Sequence, residues 1–348
     1  MAASGAIDLG DGGGRAREYR RRLEKLRSLL DRRGDSAALL NTRVNFAWLT
    51  AGGTGHILRS SETAIVAMLV TRDDVVAITQ NIEAARLADE ELVGLDIELA
   101  VVPWWEPDAI EAEALRRLGA GRVAVRDADL EPDLVAIRSV LSDFDRDRLT
   151  TLGRTALEAM ESALATARPG MSENDVVADL LGRLPGCRFP VVLAAADGRI
   201  ARYRHPLPGD TPIHRRVMLV LVAERWGLHV ALTRFREFEP PDADLARRIE
   251  AVTSVQAALH AATQPGATLG DAIGAGQAAY AAAGYADEWR DHHQGGTIGY
   301  QARERVALPG DSTVIDPDMA FAWNPSIAGA KAEDTLVLDR GAQRIVTA

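Results

Sequence analysis

Apolar and polar residues fall into blocks along the chain, and the period within each block predicts its element. Residues 15–33 place Leu23, Leu26, Leu29 and Leu30 at helical spacing inside a basic run, the pattern of an amphipathic helix with a solvated face. The following stretch, AALLNTRVNFAWLTAGG, reads as an apolar strand and a turn. TAIVAMLVT, VVAITQ, IELAVVPWW and RVAVRD read as further strands, separated by the helical segments IEAARLADEEL and DAIEAEALRRLG. This alternation predicts a three-layer α/β domain over residues 15–140. A second domain, 141–348, is expected to open on one or two helices within RSVLSDFDRDRLTTLGRTALEAMESALATA. The Gly- and Ala-rich residues 1–14 are expected to be disordered.

The second domain repeats itself. ALEAMESALATARPGMSENDVVADLL and RIEAVTSVQAALHAATQPGATLGDAIGAG each place a helix before Pro-Gly and another after it, and the two Pro-Gly pairs lie 96 residues apart. Ser172 with Asp175, and Thr268 with Asp271, suit reciprocal caps at the second helix of each copy. Strands follow each copy, so the domain is expected to consist of two α/β halves around one sheet.

Composition narrows the class. With 348 residues, 47% hydrophobic and 26% charged, the chain can bury a large core and form two domains. It has no apolar run approaching the roughly 18 residues of a membrane span, and MAASGAIDLGDGGGRARE lacks the apolar centre of a signal peptide. A cytoplasmic protein without a membrane partner is therefore expected. A net charge of −10 and the lack of a basic stripe with interleaved aromatics argue against nucleic acid. The single Cys187 has no clustered His beside it and is expected to be a buried structural thiol. Only Lys25 and Lys331 are lysines, so nearly all cationic charge is arginine. Phosphate-loop, Gly-x-Ser-x-Gly and dinucleotide fingerprints are missing, and no organic cofactor is expected.

The chemistry is concentrated between Asp291 and Thr335, in DHHQGGTIGYQARE and FAWNPSIAGAKAEDT. These segments resemble, in order, the His-x-x-Gly-His-Gly-x-Gly, Glu-Pro-Gly and closing Glu-Asp motifs of the aminopeptidase P, prolidase and creatinase family. LVLVAERWGLHVALTR similarly resembles the family's two Asp-bearing strands and keeps their Thr233-Arg234 end. VNFAWLTAGG, with Asn45, Trp48, Leu49 and Gly52, looks like the family's Asn-x-x-Tyr-Leu-Thr-Gly segment. The resemblance implies an α/β (α+β) chain: a creatinase-like N-terminal domain and a C-terminal pita-bread domain with pseudo-twofold α/β halves, assembled as a homodimer.

Four of the family's five metal ligands are replaced: Val220 and Ala231 stand at the two Asp positions, Gly296 at the His and Asn324 at the first Glu, while Glu333 keeps the second. A dinuclear site needs several hard oxygen donors and an imidazole, so a metal-independent enzyme is expected.

His205 aligns with the family His beside the scissile bond, and creatinase itself uses the His at this place as general acid and base. Imidazole suits that task because it both accepts and donates near neutrality. His292 or His293 matches the family His that contacts substrate, and alternation on an extended segment allows only one of them into the pocket directly. Glu333 and Glu304 are candidate carboxylates for a cationic substrate group, as creatinase-like enzymes hold a guanidinium. Glu333 could instead pair internally with Arg234 or Arg303. Arg202 and Arg204 would share a strand face, and Arg303 could clamp a substrate carboxylate. Trp323 with Asn324 would offer an aromatic wall and an amide in the former metal cavity. Trp48 is either a core residue or one that approaches a partner's site.

The expected function is thus cleavage of a C–N bond in a small nitrogenous metabolite, by His205 with a second His. One alternative is an inactive peptidase-like binding or scaffold protein. Another is a rebuilt metal site using His205, one of His292 and His293, Glu304 and Glu333.

Overall fold

The computed structural model describes residues 12–348, which divide into two compact units at Arg138/Ser139. In the N-terminal unit, α1 (Gly12–Arg33) buries the expected leucines, and with them Arg15, Glu18 and Arg22. Arg22 Nε lies 2.7 Å from Glu18 Oε1, one turn away, and its Nη1 donates to the Trp48 carbonyl. Contrary to the expected disorder of residues 1–14, residues 12–14 belong to α1. Residues 1–11 lie outside the described residues.

Strands β1 (Ala37–Thr42), β2 (Thr63–Thr71), β3 (Val75–Gln80), β4 (Glu98–Val102) and β5 (Val125–Arg126) form one sheet in the order β4-β3-β2-β1-β5. Helices α3 (Ala84–Arg86), α4 (Ala109–Leu118) and α5 (Asp127–Ser139) connect or follow its outer strands. The stretch after β1 is a helix, α2 (Arg43–Leu49), and not the continuation of a strand. Thr42 caps α2 by accepting from Asn45 N at 3.4 Å. Asp127 then collects Thr42 Oγ1 at 2.7 Å, Asn45 Nδ2 at 2.5 Å and the Asn41 amide at 2.6 Å, and Arg138 closes the group on Asn45 Oδ1 at 2.8 Å. This polar network overrides the strand propensity of RVNFAWL. Trp48 is buried within the unit at 2% exposure.

The C-terminal unit contains the repeat. α6 (Asp143–Thr166) and α7 (Glu173–Gly182) lead into β6 (Arg188–Ala196), α8 (Gly198–Arg202), β7 (Arg216–Arg225) and β8 (Leu228–Glu237). α9 (Ala243–Ala262) and α10 (Leu269–Ala282) lead into β9 (Gly295–Thr297), β10 (Arg305–Val306), β11 (Ala320–Trp323), β12 (Ser326–Ile327), β13 (Ala330–Lys331), β14 (Asp334–Asp339) and β15 (Ala342–Ile345). Both expected caps are reciprocal, Ser172 with Asp175 and Thr268 with Asp271. The likeness extends to the return strand. Gly170 N and Ile213 N bond across to Ile213 O and Met171 O, both at 2.8 Å, and Gly266 N and Ile315 N bond to Ile315 O and Ala267 O at 2.9 and 2.8 Å.

Sheets β6-β7-β8 and β10-β9-β11-β14-β15 are antiparallel throughout. They meet where Thr233 N donates to Glu333 O at 3.1 Å and Thr335 Oγ1 bonds both the amide and the carbonyl of Ala231, at 2.8 and 2.9 Å. On the outer side of the second sheet, Val255 and Leu259 of α9 and Ile273 and Tyr280 of α10 pack on Phe321, Trp323 and Leu336. Among the described residues no helix is long and apolar enough to cross a membrane.

Each cap satisfies two backbone amides that have no partner inside the helix. We expect Ser172→Ala and Thr268→Ala each to cost about 1 kcal/mol, with near-additive effects in the double variant because the sites share no partner. Urea unfolding of the three variants measures this.

Candidate active site

The short helix α8 delivers His205. RIARYR is helical only as far as Arg202, so Arg202 and Arg204 do not share a strand face, contrary to expectation. Arg204 is turned toward Glu288 and Asp291, at 2.5 and 3.4 Å, and donates to Ser326 Oγ at 3.2 Å. Beyond α8, His205 Nε2 lies 3.1 Å from His292 Nε2.

His292 and His293 sit on an irregular bend ahead of β9, held by Gln294, whose Nε2 donates to the His292 carbonyl at 2.6 Å. Because the backbone bends, strand alternation does not apply, and both rings join His205. The ligand nitrogens of the three residues lie within 4.8 Å of one another. His292 is the buried member, at 6% exposure, whereas His205 and His293 are exposed. All three rings favour the neutral form. His205 is shifted down by desolvation and by Lys331. Desolvation, Lys331 and the neighbouring imidazoles push His292 down to about 2. His293 falls to about 4 through desolvation of its ring, with Arg303 and His205 adding repulsion.

Below the imidazoles lies a fully buried carboxylate, Glu333, on the segment between β13 and β14. Burial alone would raise its pKa, but Lys331 and Arg303, with hydrogen bonds from Lys331 and Thr233, hold it at about 2. Lys331 Nζ is 2.8 Å from Oε2, Thr233 Oγ1 donates to Oε2 at 2.7 Å, and Arg303 Nη2 is 3.3 Å from Oε1. Sequence reasoning missed Lys331. Its signal was compositional: one of two lysines in a chain that otherwise uses arginine for cationic charge. Glu333 therefore has internal cations and is not left waiting for a substrate guanidinium. Two cations on one carboxylate leave the cluster with a surplus positive charge.

Several expected site residues have other work. Glu304 accepts from the amides of Tyr300 and Gln301, at 2.8 and 3.1 Å, and so closes a turn. Arg234 pairs with Asp334 at 2.8 Å and donates to the Thr347 and Glu333 carbonyls, binding the last strands together. Trp323 faces away from the imidazoles: it is fully buried, stacks on Phe321 at 6.0 Å between centroids, and donates from Nε1 to Thr263 Oγ1 at 2.9 Å. It is a core residue and no wall of a pocket. Asn324 is buried with its Oδ1 lacking any hydrogen-bond partner.

The residues at the family's metal positions do not fit a dinuclear pair. Val220 and Ala231 are buried in the β7/β8 ladder and offer no donor atom. Gly296 has φ +155° and packs so tightly on β10 that a Cβ would lie 2.0 Å from the Arg305 carbonyl oxygen. Among the described residues the imidazoles of His205, His292 and His293 group without Glu304, which meets the Tyr300 and Gln301 amides, or Glu333, which meets Lys331, Thr233 and Arg303.

Fold and site together define a pita-bread unit of the metallopeptidase type with an imidazole cluster over a buried ion-pair network. Residues 147–340 match metallopeptidase family M24 and residues 22–137 match the creatinase/prolidase N-terminal domain. The chain belongs to metallopeptidase family M24. No curated protein matches it. Solved structures of similar fold include the prolidase from Pyrococcus horikoshii OT3, at 17% identity and TM-score 0.76, covering 94% of this chain and 98% of that one. The Xaa-Pro dipeptidase from Bacillus anthracis follows at 19% and 0.74, covering 94% and 97%. The N-terminal domain of a FACT complex subunit from chickpea shares the fold at 13% and 0.67, covering 99% and 97%.

Removing the charge from Glu333 would leave buried cations unpaired. We expect Glu333→Gln to cost about 3 kcal/mol in urea unfolding. Since the folded chain binds a proton at His292 less readily than the unfolded chain, whose value is near 6.5, stability is full above that pH and falls below it. The expected slope is about 1.4 kcal/mol per pH unit from that residue, and His292→Asn should remove it. Gly296→Ala should cost about 3 kcal/mol by overpacking against β10, read from the same urea curves.

Proposed function

We propose that the protein is an enzyme that cleaves a C–N bond of a small nitrogenous metabolite by imidazole acid–base chemistry, without the family's dinuclear metal pair. The observation that carries this reading is the Nε2 to Nε2 contact of 3.1 Å between His205 and His292 above the Lys331–Glu333–Arg303 cluster. His205 is exposed and its neutral ring is available near pH 7, so it can take a proton from the attacking group and return it to the leaving nitrogen. His293, equally exposed, can donate a hydrogen bond to charge developing on the substrate. His292, buried against His205, serves as its partner.

The surplus positive charge of Lys331 and Arg303 favours a substrate bearing a carboxylate near the reacting bond. Asn324 Oδ1, a buried acceptor without a partner, suits a substrate N–H. An amide, amidine or cyclic amidine next to a carboxylate meets both conditions. The prolidase and Xaa-Pro dipeptidase of similar fold make Xaa-Pro dipeptides the natural comparison substrates.

A second reading is favoured by one observation, the convergence of three imidazoles within 4.8 Å, which would suit a single zinc-like ion in a three-nitrogen site. The adjacent Lys331 and Arg303 oppose a cation there.

Elemental analysis of protein purified without chelator, before and after exposure to manganese, cobalt, zinc and iron, separates the readings. Below roughly 0.1 metal per chain with turnover of a carboxylate-bearing amide or amidine supports acid–base chemistry, and His205→Ala should then lose about 100-fold or more in kcat while keeping its fold. Stoichiometric metal lost on His293→Ala establishes the ion. Neither metal nor turnover across such a panel would leave a binding module.

A further inference from the structure

Ser326 stands third in Asn324-Pro325-Ser326, where the resembled Glu-Pro-Gly motif has glycine, so its hydroxyl is an addition of this chain. It is 4% exposed and held from both sides by Tyr280, whose hydroxyl accepts from Ser326 N at 2.8 Å and lies 3.1 Å from Ser326 O. The side chain meets two groups. His292 Nδ1 is 3.0 Å away, and Arg204 donates to Oγ from Nη1 at 3.2 Å. Arg204 is itself fixed by Glu288.

Hydrogen-bond accounting gives these contacts a direction. A serine hydroxyl has one proton to donate, and a guanidinium can only donate. With Arg204 pointing its N–H at Oγ, the oxygen is an acceptor on that side, and the hydroxyl proton is best used on His292 Nδ1. The opposite assignment, with Nδ1–H donating to Oγ, would give the oxygen two donors and leave its own proton without a described acceptor in a buried place, a costly arrangement. A His292 whose Nδ1 accepts must carry its proton on Nε2, and that nitrogen faces His205 Nε2.

We infer that Arg204 and Ser326 are positioning residues that lock His292 as the Nε2–H tautomer, so that it donates to His205 Nε2 and holds His205 as the Nδ1–H tautomer. His205 is then held in a single protonation geometry, with a proton on Nδ1 and an Nε2 lone pair that accepts from His292, and taking a substrate proton on Nε2 requires that hydrogen bond to open. The order runs Arg204 to Ser326 to His292 to His205, each member donating to the next, with no atom transferred. This rests on the imidazole reading of the site, but the tautomers it assigns do not depend on any turnover.

The test is nitrogen NMR of the full-length protein labelled with 15N-histidine, in which protonated and unprotonated ring nitrogens resonate far apart. Single-His variants assign the seven histidines. The expected wild-type pattern near pH 7.5 is an unprotonated Nδ1 and protonated Nε2 on His292, with the reverse on His205. In Ser326→Ala the His292 nitrogens should move to the averaged positions of two exchanging tautomers, and Ser326→Thr, which keeps the hydroxyl, should retain the wild-type pattern. Nδ1–H on wild-type His292 overturns the proposal, as does an unchanged pattern in Ser326→Ala. Both Nε2 atoms unprotonated at once would overturn it in favour of a bound ion. A correct tautomer pattern in a protein without detectable turnover would sustain the assignment while the proposed reaction fails.

Discussion

A carboxylate with no exposure to water has to be neutralised where it lies, and Glu333 sets that requirement for the C-terminal unit. Its two oxygens are divided among Lys331, Arg303 and Thr233, which arrive from β13, the loop before β10, and β8. Its carbonyl accepts from Thr233 N, the bond that joins one sheet to the other. The same residue therefore ties the two halves of the repeat together and fixes two cations beneath the imidazoles. A dinuclear metalloenzyme would use such a carboxylate to hold ions. Here its neighbours are a lysine and an arginine.

The substitution pattern is internally consistent. Val220 and Ala231 turn ligand positions into ladder core, and the backbone of Ala231 is taken by Thr335 Oγ1. His205 and His292 come within hydrogen-bond distance of each other as rings that favour the neutral form.

Much of this was legible in the chain. The Pro-Gly pairs and their caps gave the repeat, because capping chemistry is local and each box needs only four residues. His205 and the 292–293 pair were found by their place in motif order. What escaped depends on neighbours distant in sequence. Trp323 was read as a pocket wall beside Asn324, but Thr263, sixty residues earlier, offers its indole an acceptor inside the core. RVNFAWL has the composition of a strand and becomes a helix because Asp127, some eighty residues on, gathers the Asn45 side-chain amide and the hydroxyl of Thr42, which caps it. The second imidazole was excluded on an alternation rule that holds only for extended backbone, and the bend before β9 breaks it. Glu304 was assigned to substrate because nothing in its sequence position reveals that two amides four and three residues back have already claimed it.

The glycine at 296 carries a steric consequence. A Cβ at this position would lie 2.0 Å from the Arg305 carbonyl oxygen, so β10 occupies the space a side chain would need. Any side chain placed at 296, a metal-ligating imidazole included, would require that strand to shift first, so the backbone here admits no ligand atom beyond its own.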